Sequence, residues 1–339
     1  MEKTPRKKWW RWGFNRWLVL LFIICSIVAT GYVAPVQPHV QLPAENLSLE
    51  PLFDLPVIGK FYLTNTMVAM LLADLILLVI GFIVYRAVKR GSLILTGFSG
   101  AVEALLEVIY NMTESTAGKW TKKVFPWFAT ITLLVLVANW TELIPGVDSI
   151  GILEPSEHGH PVQDIGWAAT IVKSPEPVEG ETVHGGEKLY SLIPYVRVVS
   201  TDLNFTLALA LTAVFMVQIV GIQAQRSQYF TKFWNTKTFF SRPIFGVIDF
   251  AVGLLELISE FSKVLSFTFR LFGNIFAGSV LLFVMGALLS RLAFFQTGFL
   301  MLEFFVGMIQ ALVFGMLTMV FMSQATQGHG GEHHEETHA

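Results

Sequence analysis

An all-α polytopic membrane protein, with about six transmembrane helices and a long tilted helix pair at its C-terminal end, is predicted by three features of this 339-residue chain. Apolar residues make up 53% of it and charged residues only 14%, against about 25% charged in soluble domains. Several apolar runs exceed the ~18 residues that mark a bilayer-spanning helix. One of them contains an arginine, Arg270, in a stretch with no proline between Pro243 and the C-terminus. The single cysteine, Cys25, excludes an intrachain disulfide and reads as an inert thiol in an apolar run. No metal-ligand spacing, Gly-rich phosphate loop or nucleophile elbow is present, so no cofactor or metal is expected. The basic residues flank apolar runs instead of forming one folded face, which argues against nucleic acid as a partner. The partner that composition demands is the lipid bilayer.

The elements follow in order. Residues 1–34 combine a basic N-terminus, with six Lys/Arg up to Arg16, and an apolar run from Trp17. They read as a signal anchor or a signal peptide, and the basic, Trp-rich flank holds the N-terminus in the cytoplasm. Residues 35–62, rich in proline, form an external loop. Residues 63–145 hold two transmembrane helices, about Leu63 to Tyr85 and about Pro126 to Ile144. Between them lies an interfacial helix over 98–118, where Val102, Leu105, Leu106, Ile109 and Met112 recur at helical spacing. Residues 146–200, with many acids, Gly and Pro, form an external loop or small subdomain. Residues 201–243 hold a transmembrane helix, about Leu203 to Gln223, and a basic loop containing Arg226, Lys232, Lys237 and Arg242.

Residues 244–324 form the helix hairpin. A helix over 244–290 is about 70 Å long at ~1.5 Å per residue, against a hydrocarbon core of ~30 Å, so it is strongly tilted. Arg291 and Gln296-Thr297-Gly298 mark the turn, and the last helix runs from about Phe299 to Gln324. Residues 325–339 are a His-rich tail with His329, His333, His334 and His338, read as solvated, with metal binding as the alternative. With the N-terminus inside, 16 of the 23 Lys/Arg fall on cytoplasmic segments. That bias puts the C-terminus inside as well.

Arg270 is the most informative residue. A guanidinium at the bilayer centre costs at least ~2.5–3.5 kcal/mol on insertion scales, so its default reading is functional. It does not release its proton, so it can hold a fixed charge beside a titrating acid without joining a proton wire. Asp249, Glu256, Lys263 and Arg270 are each seven residues apart, which places them on one slowly rotating helix face, ~10 Å apart. Such a stripe suits a water-filled path that stops at Arg270. The alternative is that Asp249 and Glu256 reach the headgroups and pair with Lys263, or that Glu260 pairs with Lys263 at i,i+3. Beyond Arg270 the face becomes Gly273, Asn274 and Ala277, smooth enough for another helix to approach. Ser279, nine residues past Arg270, is about half a turn out of phase and faces away.

Glu303, Gly307 and Gln310 share a face of the last helix. Glu303 is an acid well inside an apolar run, for which proton relay is the default and a salt bridge to Arg291 the alternative. Gln310 is placed to hydrogen-bond Arg270 and fix its fork, or to make a generic interhelical contact. Asn139 and Glu142, at the end of the third span, form the mouth of a second polar path or an ordinary helix end.

Arg270-Leu271-Phe272-Gly273-Asn274 followed by Ala277-Gly278, with Gln310-Ala311, resembles the a subunit of rotary F-type ATP synthases. Supporting matches are Asn139…Glu142-Leu143-Ile144-Pro145 and Asp202-Leu203-Asn204, and the likeness extends over about Phe61 to Ser323. It implies a non-catalytic, multi-pass subunit of the bacterial inner membrane, carrying two offset half-channels that couple proton flow to ring rotation and ATP synthesis. The implied partners are the c-ring and the peripheral-stalk b subunits. Arg270 would face the ring and draw the proton from each arriving carboxylate. Asn139, Glu142 and Glu303 would belong to the external path and Glu256 to the cytoplasmic one, with Gln310 and Asn274 supporting Arg270. Two positions depart from the pattern. Many members carry Glu or His where this chain has Ser279, and many bacterial members carry His where it has Glu303. Two other classes compete. A secondary transporter would show inverted repeats and broken helices, and none is visible. A non-transporting scaffold leaves the intramembrane charges without a purpose.

Overall fold

The computed structural model describes most of residues 17–28. It also describes residues 44–327 except 49, 57–58, 91–96, 145–146, 165, 167–168, 172–189, 227–228, 230–242 and 290–292. The principal helices are α1 (Asn65–Lys89), α2 (Phe98–Ala117), α3 (Thr121–Trp140), α4 (Leu203–Gln225), α5 (Pro243–Leu288) and α6 (Ala293–Thr326). Five stretches among the described residues are long and apolar enough to cross a membrane: α1, the α2–α3 stretch, α4, α5 and α6. The protein is therefore an all-α polytopic membrane protein. The span expected from Trp17 falls partly on residues outside the described ones, and those described between 17 and 28 are helical. The basic N-terminal flank, Lys232, Lys237, Arg242, Arg291 and the His-rich tail also lie outside the described residues.

The helix ends follow from local chemistry. Thr64 caps α1, its Oγ1 accepting from the Met67 amide at 3.4 Å, and Arg86 and Lys89 occupy the last turn, where cations complement the carbonyl end. Asp202 caps α4 by accepting from the Asn204 amide at 2.9 Å with one oxygen. Its other oxygen accepts from Thr66 Oγ1 on α1 at 2.9 Å. The sequence places the start of the third span at Pro126, but α3 begins at Thr121 and runs through that proline. A proline near a helix start forfeits little, because the first turn's donors lack intrahelical partners anyway.

One further expectation is corrected. Gln296, Thr297 and Gly298 do not form the turn of the hairpin but lie inside α6, which starts at Ala293. The Gln296 amide covers Gly286 of α5, its Nε2 only 3.0 Å from where a Cβ would stand, so the missing side chain lets the helices pair closer to their ends. The segment 146–200, expected as an external loop or small subdomain, contains short paired strands. It holds β3 (Gly151–His160) paired with β6 (Tyr190–Pro194), and β4 (Val162–Asp164) antiparallel to β5 (Ala169–Ile171). An earlier hairpin joins β1 (Phe53–Leu55) to β2 (Gly59–Phe61), with Phe53 stacked on Phe61 at 4.7 Å. Strands this short are stabilised by their pairing, which a search for apolar runs does not see.

The chain divides into two compact units. One comprises Met1–Val40, Gly151–Ile193 and Gly278–Glu303; the other comprises Gln41–Ile150, Pro194–Ala277 and Phe304–Ala339. In the second, Val135, Leu209, Ala210, Ala213, Phe267, Leu271, Ile275, Ala311 and Phe314 from α3–α6 form one buried core. Another joins Ile109 of α2 to Phe128, Val217, Met319 and Met322. Helix α2 thus buries Ile109, Thr113 and Ala117, with Leu106 and Met112 against the core, while Leu105 is 37% exposed. Small residues of α6 meet α3 closely. Gly307, Ala311 and Gly315 are four residues apart and buried. A Cβ on Gly315 would overlap Thr132 Oγ1 and lie 2.9 Å from the Phe128 ring, and one on Gly307 would lie 3.2 Å from Asn139 Cβ. Small residues at this spacing let two helices approach backbone to side chain.

Candidate functional site

α5 has 46 residues, about 69 Å of helix, and carries Arg270 well inside it. Arg270 is half-buried. Its Nη2 donates to Ser266 Oγ, one turn back, at 3.5 Å, the outer limit of a hydrogen bond. Among the described residues no carboxylate pairs with it. Gln310 does not fix the guanidinium, contrary to expectation. Its Oε1 accepts from Asn274 Nδ2 at 2.8 Å, one turn beyond Arg270 on the same helix. The reason is side-chain reach, since the short Asn274 amide meets the buried Gln310 across the α5–α6 contact. Gln310 is 4% exposed, and its Nε2 has no hydrogen-bond partner among the described residues. Around Arg270, α5 shows an open apolar face. Phe261, Leu265 and Phe269 are 66%, 41% and 57% exposed, Asn274 and Ala277 are exposed, and a Cβ on Gly273 would meet nothing within 4 Å.

The stripe on the Pro243 side of Arg270 resolves differently from a simple path lining. Lys263 Nζ pairs with Glu260 Oε1 at 2.9 Å and lies 4.8 Å above the Phe321 ring, so the i,i+3 alternative holds. Glu260, only 8% exposed, uses its second oxygen to accept from Gln218 Nε2 at 2.9 Å. The Gln218 carbonyl oxygen accepts from the Tyr229 hydroxyl at 2.6 Å, and the Tyr229 ring rests on Gly221. Glu256 is half-buried on the same helix, and the side chain of Asp249 lies outside the described residues.

Asn139 ends α3 and is 3% exposed. Its Oδ1 accepts from Ser200 Oγ at 2.6 Å and its Nδ2 donates to the Gly307 carbonyl at 3.3 Å. The next residue, Trp140, donates through Nε1 to the Phe304 carbonyl at 3.3 Å and stacks on the Phe304 ring at 4.6 Å. Asn139 is thus a three-way tie between α3, α6 and the turn before α4. Glu142 sits in the 3-10 turn Thr141–Leu143, with its side chain outside the described residues.

In the other compact unit, Glu303 and Ser279 are 4% and 6% exposed. The Glu303 carboxylate lies directly against Gly278: a Cβ there would overlap both oxygens and stand 2.6 Å from Cδ. Glu303 Oε1 has no hydrogen-bond partner among the described residues. A buried acid with an open oxygen inside an apolar helix is the kind of group that proton paths use.

Sequence reasoning singled out Arg270, Glu303, Gln310 and Asn139 because polar groups inside apolar runs stand out. It missed Gln218 and Tyr229, and it missed Gly278 as the seat of Glu303. A glycine signals only that something comes close, and the identity of the neighbour is a tertiary fact. Among the described residues, no group of three or more His, Cys, Asp or Glu is arranged to hold a metal ion.

Comparison with known proteins now adds a family. Residues 67–323 match the family described as ATP synthase A chain. Among curated relatives, ATP synthase subunit a of Desulforamulus reducens is 34% identical over 157 residues, 43% of this chain and 53% of that protein. The subunit of Buchnera aphidicola is 31% identical over 146 residues, 42% of this chain and 52% of that one. The chain thus spans about half the length of these two relatives. The subunit of Shewanella frigidimarina is 25% identical over 318 residues, 89% of this chain and 99% of that one. With a family match over most of its length and five membrane-crossing stretches, the chain belongs to the ATP synthase A chain family, the a subunits of F-type ATP synthases.

Proposed function

We propose that this chain is the proton-translocating subunit of a bacterial F-type ATP synthase, placed in the inner membrane beside a c-ring and held by peripheral-stalk b subunits. The observation that carries the reading is Arg270: a permanent cation deep in a membrane-length helix, with no carboxylate partner among the described residues, at the edge of an exposed apolar face. A carboxylate arriving on a ring helix supplies the missing partner. Near Arg270 it favours its ionised form and releases its proton; away from Arg270 it must be neutral to enter lipid.

In this scheme an external half-channel uses Glu303, Glu142 and the region tied together by Asn139. A second half-channel opens on the cytoplasmic side along Asp249 and Glu256. Lys263 borders that path with its charge taken up by Glu260. Asn274 and Gln310 hold the surface next to Arg270, and Ser279 serves at most as a hydroxyl near the external path. Protons enter one half-channel, ride the ring for nearly a full turn and leave by the other. A membrane potential contributes ~2.3 kcal/mol per charge per 100 mV, which drives rotation and thereby ATP synthesis elsewhere in the complex. Arg270 prevents a direct leak between the half-channels. Both termini face the cytoplasm.

The test is ATP-driven acidification of inverted membrane vesicles containing the full complex, with native chain or Arg270→Ala at equal assembly. Native vesicles acidify and Arg270→Ala vesicles do not. Equal acidification by both removes Arg270 from the mechanism and with it the main support for the scheme.

A further inference from the structure

Glu260 enters the scheme above only as the counter-charge of Lys263, yet its surroundings hold it on more than one side. Both of its oxygens are engaged, one by the Lys263 ammonium at 2.9 Å and one by the Gln218 amide at 2.9 Å. Gln218 is in turn oriented by the Tyr229 hydroxyl at 2.6 Å. The Lys263 ammonium has no other charged partner among the described residues; its remaining contact is the Phe321 ring. Such an arrangement exceeds what α5–α4 packing needs. Replacing a buried ion pair by apolar residues of like volume is often neutral or stabilising, so retaining one is weak evidence of a contribution to stability.

The position of the pair suggests its use. Lys263 lies seven residues before Arg270, about 10 Å along the helix axis. Two unit charges at that distance and the effective dielectric of a protein interior affect each other's occupancy by about tenfold. A bare ammonium there would raise the positive potential on one side of Arg270. It would oppose the approach of protons and compete with Arg270 for a ring carboxylate.

We infer that Glu260 is a positioning residue of the ion path: by neutralising Lys263, with Gln218 and Tyr229 holding it in place, it leaves Arg270 as the cation that a passing carboxylate meets. This inference rests on the proposed role of Arg270.

The test uses the full complex in inverted vesicles, compared at equal amounts of assembled chain, with ATP-driven acidification as the readout. The variants are Glu260→Gln, the double variant Glu260→Gln with Lys263→Met, and Arg270→Ala. Glu260→Gln keeps an amide able to meet Gln218 but exposes the Lys263 charge, and acidification slows about tenfold. The double variant recovers most of the lost rate, although it regains no contact. Where the single and double variants also melt at the same temperature, a purely structural role for the pair cannot produce that recovery. A native rate in Glu260→Gln overturns the inference, and so does a double variant as slow as the single one. If Glu260→Gln fails to accumulate while the double variant accumulates, the pair is structural and the inference is overturned; failure of both overturns it as well. Loss of acidification in Arg270→Ala, with a native rate in Glu260→Gln, sinks only this inference. A native rate in Arg270→Ala sinks the parent reading as well.

Discussion

The seam between α3 and α6 and the outer face of α5 are built from the same small residues and do opposite things. On the seam, Gly307 and Gly315 are filled by a neighbour: Asn139 approaches one, and Thr132 with Phe128 approaches the other. On α5, Gly273 faces open space, next to the exposed Asn274 and Ala277. Glycine in both places removes side-chain bulk, but in one the chain itself uses the room and in the other it leaves the room to something else. The polar groups divide in the same way. Asn139 has both ends of its amide engaged within the fold, whereas among the described residues the Arg270 side chain has a single hydrogen bond, at 3.5 Å to Ser266. A small residue or a polar residue in an apolar run therefore does not declare its purpose. Whether the fold satisfies it is the observation that tells the two settings apart.

The contrast can be broken or sharpened by substitution. The largest effect is expected from Arg270→Ala, with complete loss of driven proton transport in vesicles and little change in the amount of folded chain. Gly315→Ala comes next, because its Cβ would overlap Thr132 Oγ1 and the Phe128 ring. Overpacking of this kind costs ~1–3 kcal/mol, to be read as a lower melting temperature of the detergent-solubilised complex. A native melting temperature would mean that the seam yields and that the comparison is overstated. Asn139→Ala removes two hydrogen bonds between elements, at about 0.6–2 kcal/mol each in a membrane interior, and should lower the same melting temperature by a comparable amount.

Gly278→Ala is expected to displace the Glu303 carboxylate while leaving the seam intact. Its acidification rate should fall to that of Glu303→Gln; a native rate would show that the position of Glu303 is not critical. The smallest structural effect belongs to Gly273→Ala. Nothing in this chain opposes the methyl, and alanine gains up to ~1 kcal/mol of helix propensity. The chain should be as stable as native or slightly more so, while ATP-driven proton pumping by the assembled complex falls. If pumping is unchanged, that part of the face does not run against a ring.

Legibility in the sequence followed from physical contrast. Arg270 and Glu303 were visible because a charge in an apolar run carries a solvation cost that demands a reason. The span of α5 was visible because a long proline-free apolar stretch offers no place to turn, and the core face of α2 because Ile109, Leu106 and Met112 repeat at helical spacing. The starts of α3 and α6 were misplaced by signals that are strong locally and weak in context. The apolar run places the third span from about Pro126 although α3 starts at Thr121, and Gln296-Thr297-Gly298 reads as a turn although the Gln296 amide packs on Gly286. The Glu260–Lys263 pair was available from i,i+3 spacing, but its extension to Gln218 and Tyr229 joins residues up to 42 positions apart. No period along one helix encodes that.

Membrane residence, the approximate limits of the long helices, and the presence of an arginine whose solvation cost calls for a reason all follow from composition and period, because burial in lipid is decided residue by residue. The partner of each polar group does not. Asn274 instead of Arg270 meets Gln310, Ser200 and Gly307 hold Asn139, and Gly278 seats Glu303. Those choices depend on which helices touch, at what depth and with whose side chain short enough to fit, and that geometry exists only once the helices have packed.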